Sequence, residues 1–318
     1  LNGAQAFADP ELSARRGTAF DFAAWSQAAL GRAESALDAA LPQADTVPHH
    51  LHEAMRYAVM GGGKRVRALL MAASAEFARC PAPLADAMAV AIELIHAYSL
   101  VHDDLPAMDN DELRRGKPTV WKQFGEAQAV LVGDALQSSA FEVLAQACAA
   151  QPTSDGLAVI RLLAHASGSQ GMCGGQAIDL ASEDKALALP EVEQLHRMKT
   201  GALLVASVMM PAVAMRLPRA QHEALEQFAR TVGLAFQIAD DVLDATADSA
   251  TLGKTAGKDA EQGKATYVSL LGLDDARRRA EALRLQAHAH LDSLGPRDGA
   301  GGLDALAALA DLIVRRSH

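Results

Sequence analysis

Nearly every face of the stretch from Leu84 to Asp104 is apolar. A helix with no polar stripe cannot lie on a surface, so the rest of the chain has to surround it. It ends abruptly in Leu100-Val101-His102-Asp103-Asp104-Leu105-Pro106-Ala107-Met108-Asp109-Asn110-Asp111-Glu112-Leu113-Arg114-Arg115-Gly116, which sets five carboxylates and two arginines at one end of an oily rod. Carboxylates crowded this closely repel unless a cation sits among them. A second apolar helix carries an echo, Phe236-Gln237-Ile238-Ala239-Asp240-Asp241-Val242-Leu243-Asp244. Two acidic clusters on apolar helices suggest facing walls of one divalent-metal site.

The material for a surround is present. Of 318 residues 50% are hydrophobic and only 4% aromatic, and alanine and leucine dominate over β-branched runs, which favours helix nearly everywhere. Helices are expected at 22–41, 50–60, 64–79, 84–104, 120–150, 155–167, 190–216, 219–246, 266–292 and 303–315. Between them fall a break at 116–118, a glycine-rich bend at Gly174-Gly175-Gln176 and an exposed loop over 251–263. The expectation is an all-α, single-domain helical bundle over 21–318 with a central apolar cavity, preceded by a loose extension over 1–20.

A net charge of −10 speaks against a nucleic-acid partner. Cys80, Cys148 and Cys173 form no CxxC pair, which indicates neither a zinc site nor a disulfide framework and suits a reducing cytoplasm. Residues 1–20 have no continuous apolar core of the secretory kind, and the apolar run from Gly201 to Met215 is shorter than the ~20 residues of a membrane span. The chain therefore reads as one that is not integral to a membrane.

Asp240 and Asp244 are four apart and share a helical face to within about 40°, whereas Asp241 lies about 100° round. Asp103 and Asp109 are six apart, so Pro106 must end or bend the helix if both are to reach one ion. All-oxygen donors favour Mg²⁺ or Mn²⁺ over Zn²⁺, and Mg²⁺ held by few carboxylates completes its shell with water and substrate phosphate. Cations for a phosphate stand nearby in sequence: Lys64, Arg65 and Arg67 after a run of glycines, then Arg114, Arg115, Lys199, Lys254 and Lys258. Neither Gly63-Lys64 nor Gly253-Lys254 is a P-loop, because Ala58 and Asp248 stand where its first glycine belongs. His96 lies two turns before Asp103 on the same face, Gln237 lies one turn before Asp240, and Lys199-Thr200 sits in apolar surroundings that leave the lysine needing a partner.

From about residue 25 onward these residues resemble the short-chain trans-isoprenyl diphosphate synthases, above all the farnesyl-forming bacterial ones. Six stretches in family order carry the resemblance: Gly62-Gly63-Lys64-Arg65-Val66-Arg67, Asp103-Asp104-Leu105-Pro106-Ala107-Met108-Asp109, Arg114-Arg115-Gly116, Gly171-Met172-Cys173-Gly174-Gly175-Gln176, Lys199-Thr200-Gly201 and Asp240-Asp241-Val242-Leu243-Asp244. The continuation Asn110-Asp111-Glu112 departs from the all-aspartate pattern of many relatives.

The resemblance implies the isoprenoid-synthase fold, a homodimer, and three Mg²⁺ ions bridging an allylic diphosphate to both acidic motifs. It implies Asp103, Asp109, Asp240 and Asp244 as ligands, direct or through water, with Asp104 and Asp241 in support. Arg114, Lys199, Lys254 and Lys258 would hold the diphosphate of dimethylallyl or geranyl diphosphate. Gly63, Lys64, Arg67, His96 and Arg115 would serve isopentenyl diphosphate. Thr200 and Gln237 would turn oxygen dipoles toward an allylic cation. Tyr98 and Ser99, about one turn below the acidic end, would limit product length to the C15 farnesyl chain. The rivals are a geranylgeranyl-forming enzyme of the same fold and a non-catalytic partner subunit. The intact acidic motifs disfavour the partner subunit, and the second basic set disfavours a terpene cyclase.

Overall fold

The computed structural model describes residues 20–151, 155–182, 185, 187–246, 265–295 and 301–315. Lys254, Lys258, the loop expected over 251–263 and nearly all of the 1–20 extension lie outside them.

The chain begins with α1 (Phe22–Ala40), capped by Asp21, whose carboxylate accepts from the Ala24 amide at 2.9 Å. Next come α2 (His49–Met60) and α3 (Val66–Phe77). The expected start of α3 at Lys64 moves two residues downstream, because Arg65 adopts φ 46° and breaks the helical path. The apolar rod is α4 (Ala82–Asp103), which packs against α1, α2, α3, α6 (Glu126–Ala150) and α10 (Ala202–Ala214). Of its 22 residues 13 are buried, and each fully buried Leu or Ile contributes roughly 1.5–3 kcal/mol. With a mean hydropathy of 1.5, α4 is the one described helix long and apolar enough to cross a membrane, and it lies instead at the centre of the bundle.

After α4 the expected break at 116–118 is a two-stranded hairpin, β1 (Leu113–Arg114) and β2 (Lys117–Pro118). Arg115 and Gly116 form its two-residue turn with φ 54° and 73°, both in the left-handed region that such turns require. Gly125, at φ 92°, divides the expected 120–150 helix into α5 (Val120–Phe124) and α6.

The chain continues with α7 (Gly156–Ser167), α8 (Met172–Ala181) and α9 (Leu189–His196), then a π-turn over Arg197–Gly201 that leads into α10. Here the glycine-rich bend expected at Gly174-Gly175-Gln176 is replaced by helix, for α8 runs straight through it. The glycines serve close packing instead: a Cβ on Gly175 would lie 2.2 Å from the Lys199 backbone nitrogen. The bundle closes with α11 (Arg219–Thr246), α12 (Tyr267–Leu271), α13 (Leu273–Asp292) and α14 (Gly302–Val314). Gly272 separates α12 from α13 where one helix was expected.

Candidate active site

Pro106 has no amide to extend α4, so the chain folds back beneath the helix end. The Asp109 amide donates to the Asp103 carbonyl at 2.9 Å, and the Asp111 amide donates to that of Asp104 at 3.1 Å. Residues six apart in sequence thus come to one end of the helix. Opposite them, α11 aligns Asp240 and Asp244. A cavity of about 230 Å³ is lined by Asp109, Asp179, Lys199, Thr200, Gln237, Asp240, Asp241 and Asp244. The two acidic motifs therefore share one space.

The electrostatics of that space favour a bound cation. Burial pushes the Asp103 carboxyl up to about 6, against the pull of Lys199 and Arg114, which outweighs the repulsion from Asp109 and Asp104. For Lys199, burial works against the charge, but Asp179, Asp103 and Asp109 outweigh it and its pKa is raised. Its ammonium donates to Asp179 Oδ2 at 2.6 Å. The π-turn inserts one extra residue into the helical path at Lys199-Thr200, an irregularity that often accompanies functional sites.

Among the described residues no three His, Cys, Asp or Glu side chains converge closely enough to cage an ion by themselves. The donors are carboxylates on separate walls of an open space, which fits a hard divalent cation that completes its shell with water and phosphate. Asp241 is partly committed: its Oδ2 accepts from the Tyr267 amide at 2.7 Å and ties α12 to α11. Gln237 has its carboxamide nitrogen 3.1 Å from His196 Nδ1, and His196 stacks on Tyr267 at 5.6 Å.

Asp104, expected in support of the metal-site carboxylates, is paired with an arginine. Its side chain is 3% exposed and receives the Arg114 guanidinium, Nη2 to Oδ1 at 2.6 Å and Nε to Oδ2 at 3.0 Å. The hairpin aims Arg114 this way, and burial of the carboxylate makes the pair hard to separate. Asp104 lines a second, smaller cavity with His96, Arg114, Arg115 and Lys117. Around it the charge is positive. His96 is held well below the usual imidazole range by burial, and then by Arg67, Arg115, Arg114 and Arg65.

The cations of this region differ in availability. Arg65, grouped with the phosphate-binding cations on sequence grounds, is instead structural. Its guanidinium donates to Glu34 at 2.7 Å, to Glu93 at 3.2 Å and to the Val59 carbonyl at 2.7 Å, and its side chain is 4% exposed. Arg115 keeps its head against Gly63, where a Cβ would come within 2.7 Å of Nη2. Lys64 is exposed in the turn between α2 and α3, and Arg67 is half-buried on the first turn of α3.

Below Asp103, Tyr98 is buried with its hydroxyl 3.2 Å from Cys173 Sγ, and the Ser99 hydroxyl donates to the His96 carbonyl at 2.8 Å. Sequence reasoning missed Asp179, Glu93 and His196. Asp179 stands three residues after Gln176 on the same face of α8, and Glu93 is the one fully buried charge of α4, so both left a readable trace.

An all-α bundle with aspartates from two helix ends around one lysine has the framework of an isoprenyl diphosphate synthase. The family model described as polyprenyl synthetase matches residues 48–293. The farnesyl diphosphate synthase of Escherichia coli (strain K12) is 47% identical over 269 residues, covering 83% of this chain and 89% of that protein. A chloroplastic geranylgeranyl pyrophosphate synthase of Catharanthus roseus is 44% identical over 304 residues, covering 95% and 83%. Among solved structures, the geranyltransferase from Helicobacter pylori complexed with magnesium and isoprenyl diphosphate superposes with a TM-score of 0.82 at 32% identity, covering 95% of this chain and 100% of that one. The chain belongs to the polyprenyl synthetase family, and its activity is prenyl transfer.

Proposed function

We propose that the chain condenses isopentenyl diphosphate head-to-tail with dimethylallyl diphosphate and then geranyl diphosphate, releasing pyrophosphate and (2E,6E)-farnesyl diphosphate. The observation that carries this reading is the single cavity in which Asp109 of one motif and Asp240 and Asp244 of the other meet Lys199. An allylic diphosphate in that cavity would place its bridging oxygen near Lys199 and its hydrocarbon toward the apolar interior.

Asp103, Asp109, Asp240 and Asp244 would hold three Mg²⁺ ions, or Mn²⁺ in their place, with Asp241 in support. The bound metal supplies Lewis-acid neutralisation of the diphosphate leaving group. Lys199 adds its own positive charge where pyrophosphate develops negative charge, and Lys254 and Lys258 would join it from outside the described residues. Arg114 acts through Asp104, holding the end of α4 in register. Thr200 and Gln237 face the same cavity and offer polar atoms to the allylic centre. The neutral His96 imidazole, with Lys64, Arg67 and Arg115, would orient the second diphosphate, and Gly63 lets that chain turn lie close to Arg115.

The reaction needs no protein nucleophile. The allylic C–O bond breaks with its electron pair on pyrophosphate, the isopentenyl double bond forms the new C–C bond, and the departing pyrophosphate accepts the proton lost next. Tyr98 would end elongation at C15, and Ser99 holds the same helical turn. Geranylgeranyl synthesis is the second reading, favoured by the 44% identity to a geranylgeranyl-forming relative. We place the enzyme in the cytoplasm as a homodimer.

Labelled isopentenyl diphosphate tests the proposal. Incorporation into an acid-labile C15 product should require Mg²⁺, and chromatography after dephosphorylation separates C15 from C20. No incorporation with either primer in Mg²⁺ or Mn²⁺ would refute it, and a C20 product from the native enzyme would favour the rival.

A further inference from the structure

Helix α8 touches both ends of the proposed substrate path. Asp179 holds Lys199 at 2.6 Å, and Cys173, six residues earlier on that helix, lies 3.2 Å from the Tyr98 hydroxyl. At 1.5 Å per residue the two contacts are about 9 Å apart along the helix axis. Gln176 falls midway between them, and both polar atoms of its carboxamide are buried without a hydrogen-bond partner. Such atoms are costly unless something else engages them. Because Gly175 seats α8 against the Lys199 backbone, the Cys173 contact is tied to the diphosphate end.

Tyr98 is also gripped from elsewhere. His102 meets its ring edge-on at 5.8 Å, and that imidazole is itself held by the Val130 carbonyl at 3.1 Å and packed against Gly133 of α6. Gln137 of α6 lies within reach of the same hydroxyl. A tyrosine whose ring merely filled space would need none of these polar contacts.

We infer that Cys173 is a positioning residue for product length: its thiol and the Tyr98 hydroxyl form a hydrogen bond that locks the ring across the hydrocarbon path. This rests on the reading of Tyr98 as the residue that ends elongation. The lock, in addition to ring size, then sets how sharply synthesis stops at C15. A ring free to rotate about its first side-chain torsion lets a share of chains pass on to C20.

Three variants separate the ideas. Tyr98→Phe keeps the ring and removes the hydroxyl, Cys173→Ala removes the partner, and Cys173→Ser restores a hydrogen-bonding group. The lock predicts that Cys173→Ala raises the C20-to-C15 ratio about fivefold, the equivalent of one hydrogen bond of about 1 kcal/mol, and that Tyr98→Phe, which also gives up Gln137, raises it at least as much. Cys173→Ser should return the ratio toward that of the native enzyme. Total isopentenyl incorporation by Cys173→Ala should stay within about twofold, whereas a merely structural cysteine would lower turnover and melting temperature and leave the ratio alone. Tyr98→Ala is the control. If it lengthens the product while Tyr98→Phe and Cys173→Ala still give C15, the lock is wrong and the ring-size reading survives. If Tyr98→Ala also stays at C15, the placement of the pocket floor itself fails.

Discussion

Replacing Asp103 by asparagine should stabilise the metal-free protein while removing its activity. Asp103 ends the apolar rod, where burial, prevailing over the opposing pull of Lys199 and Arg114, pushes its carboxyl from 3.8 up to about 6. A carboxyl with a raised folded-state pKa contributes stability that is complete below the unfolded value and is lost as pH rises through the folded one. The gap of about two pH units corresponds to roughly 3 kcal/mol, at about 1.4 kcal/mol per unit. That loss develops between about pH 4 and pH 6 and is flat above. Asparagine keeps the shape of the protonated acid and has no such loss. Urea unfolding in EDTA should therefore find Asp103→Asn more stable by up to about 3 kcal/mol at pH 7.5, and by only a few tenths at pH 4. Adding Mg²⁺ with pyrophosphate should reverse the order, because the native carboxylate gains the cation it lacks. A variant no more stable than the native chain at pH 7.5, or equally stabilised at both pH values, would refute the argument.

Other consequences are simpler to state. Glu93→Gln leaves the buried Arg65 guanidinium without its charge partner inside the fold and should cost about 3–5 kcal/mol in chemical denaturation; a change under about 1 kcal/mol would mean that Glu34 alone satisfies Arg65. Gly175→Ala drives a methyl to 2.2 Å from the Lys199 nitrogen, so α8 must move; a destabilisation of about 1–3 kcal/mol is expected together with a fall in kcat, and an unaltered melting curve would contradict the packing. Asp179→Asn releases the Lys199 ammonium from its 2.6 Å partner, and KM for the allylic diphosphate should change more than KM for isopentenyl diphosphate. Equal changes in both would separate Asp179 from the allylic end.

Much of this was legible in the residues. Periodicity with proline punctuation located α1 and α11 to within a residue or so, because α1 meets Pro42 just past its end and α11 begins after Pro218. Pro106 announced the fold-back that brings Asp109 to Asp103. Where one glycine carries two meanings, the sequence was ambiguous. Gly125 and Gly272 break helices with φ of 92° and 83°, while Gly174 and Gly175 lie inside one and buy close contact. Only the surroundings of each glycine distinguish these uses. The hairpin at Arg115-Gly116 was likewise hidden, since two-residue strands are too short to show alternation.

The apolar rod, the two acidic ends and the need for positive charge are written along the chain, because hydrophobic patterning and crowded carboxylates are local properties. Which cations serve structure and which face the cavity was decided only in three dimensions. Arg65 and Arg115 look alike in the chain, yet Glu34 and Glu93 from α1 and α4 claim the first, and the second lies against Gly63. In the same way Asp104 goes to Arg114, Asp179 to Lys199 and Cys173 to Tyr98. Each of these pairings joins residues from different elements, and the energy of an ion pair or hydrogen bond depends on a separation that no spacing along the chain can specify.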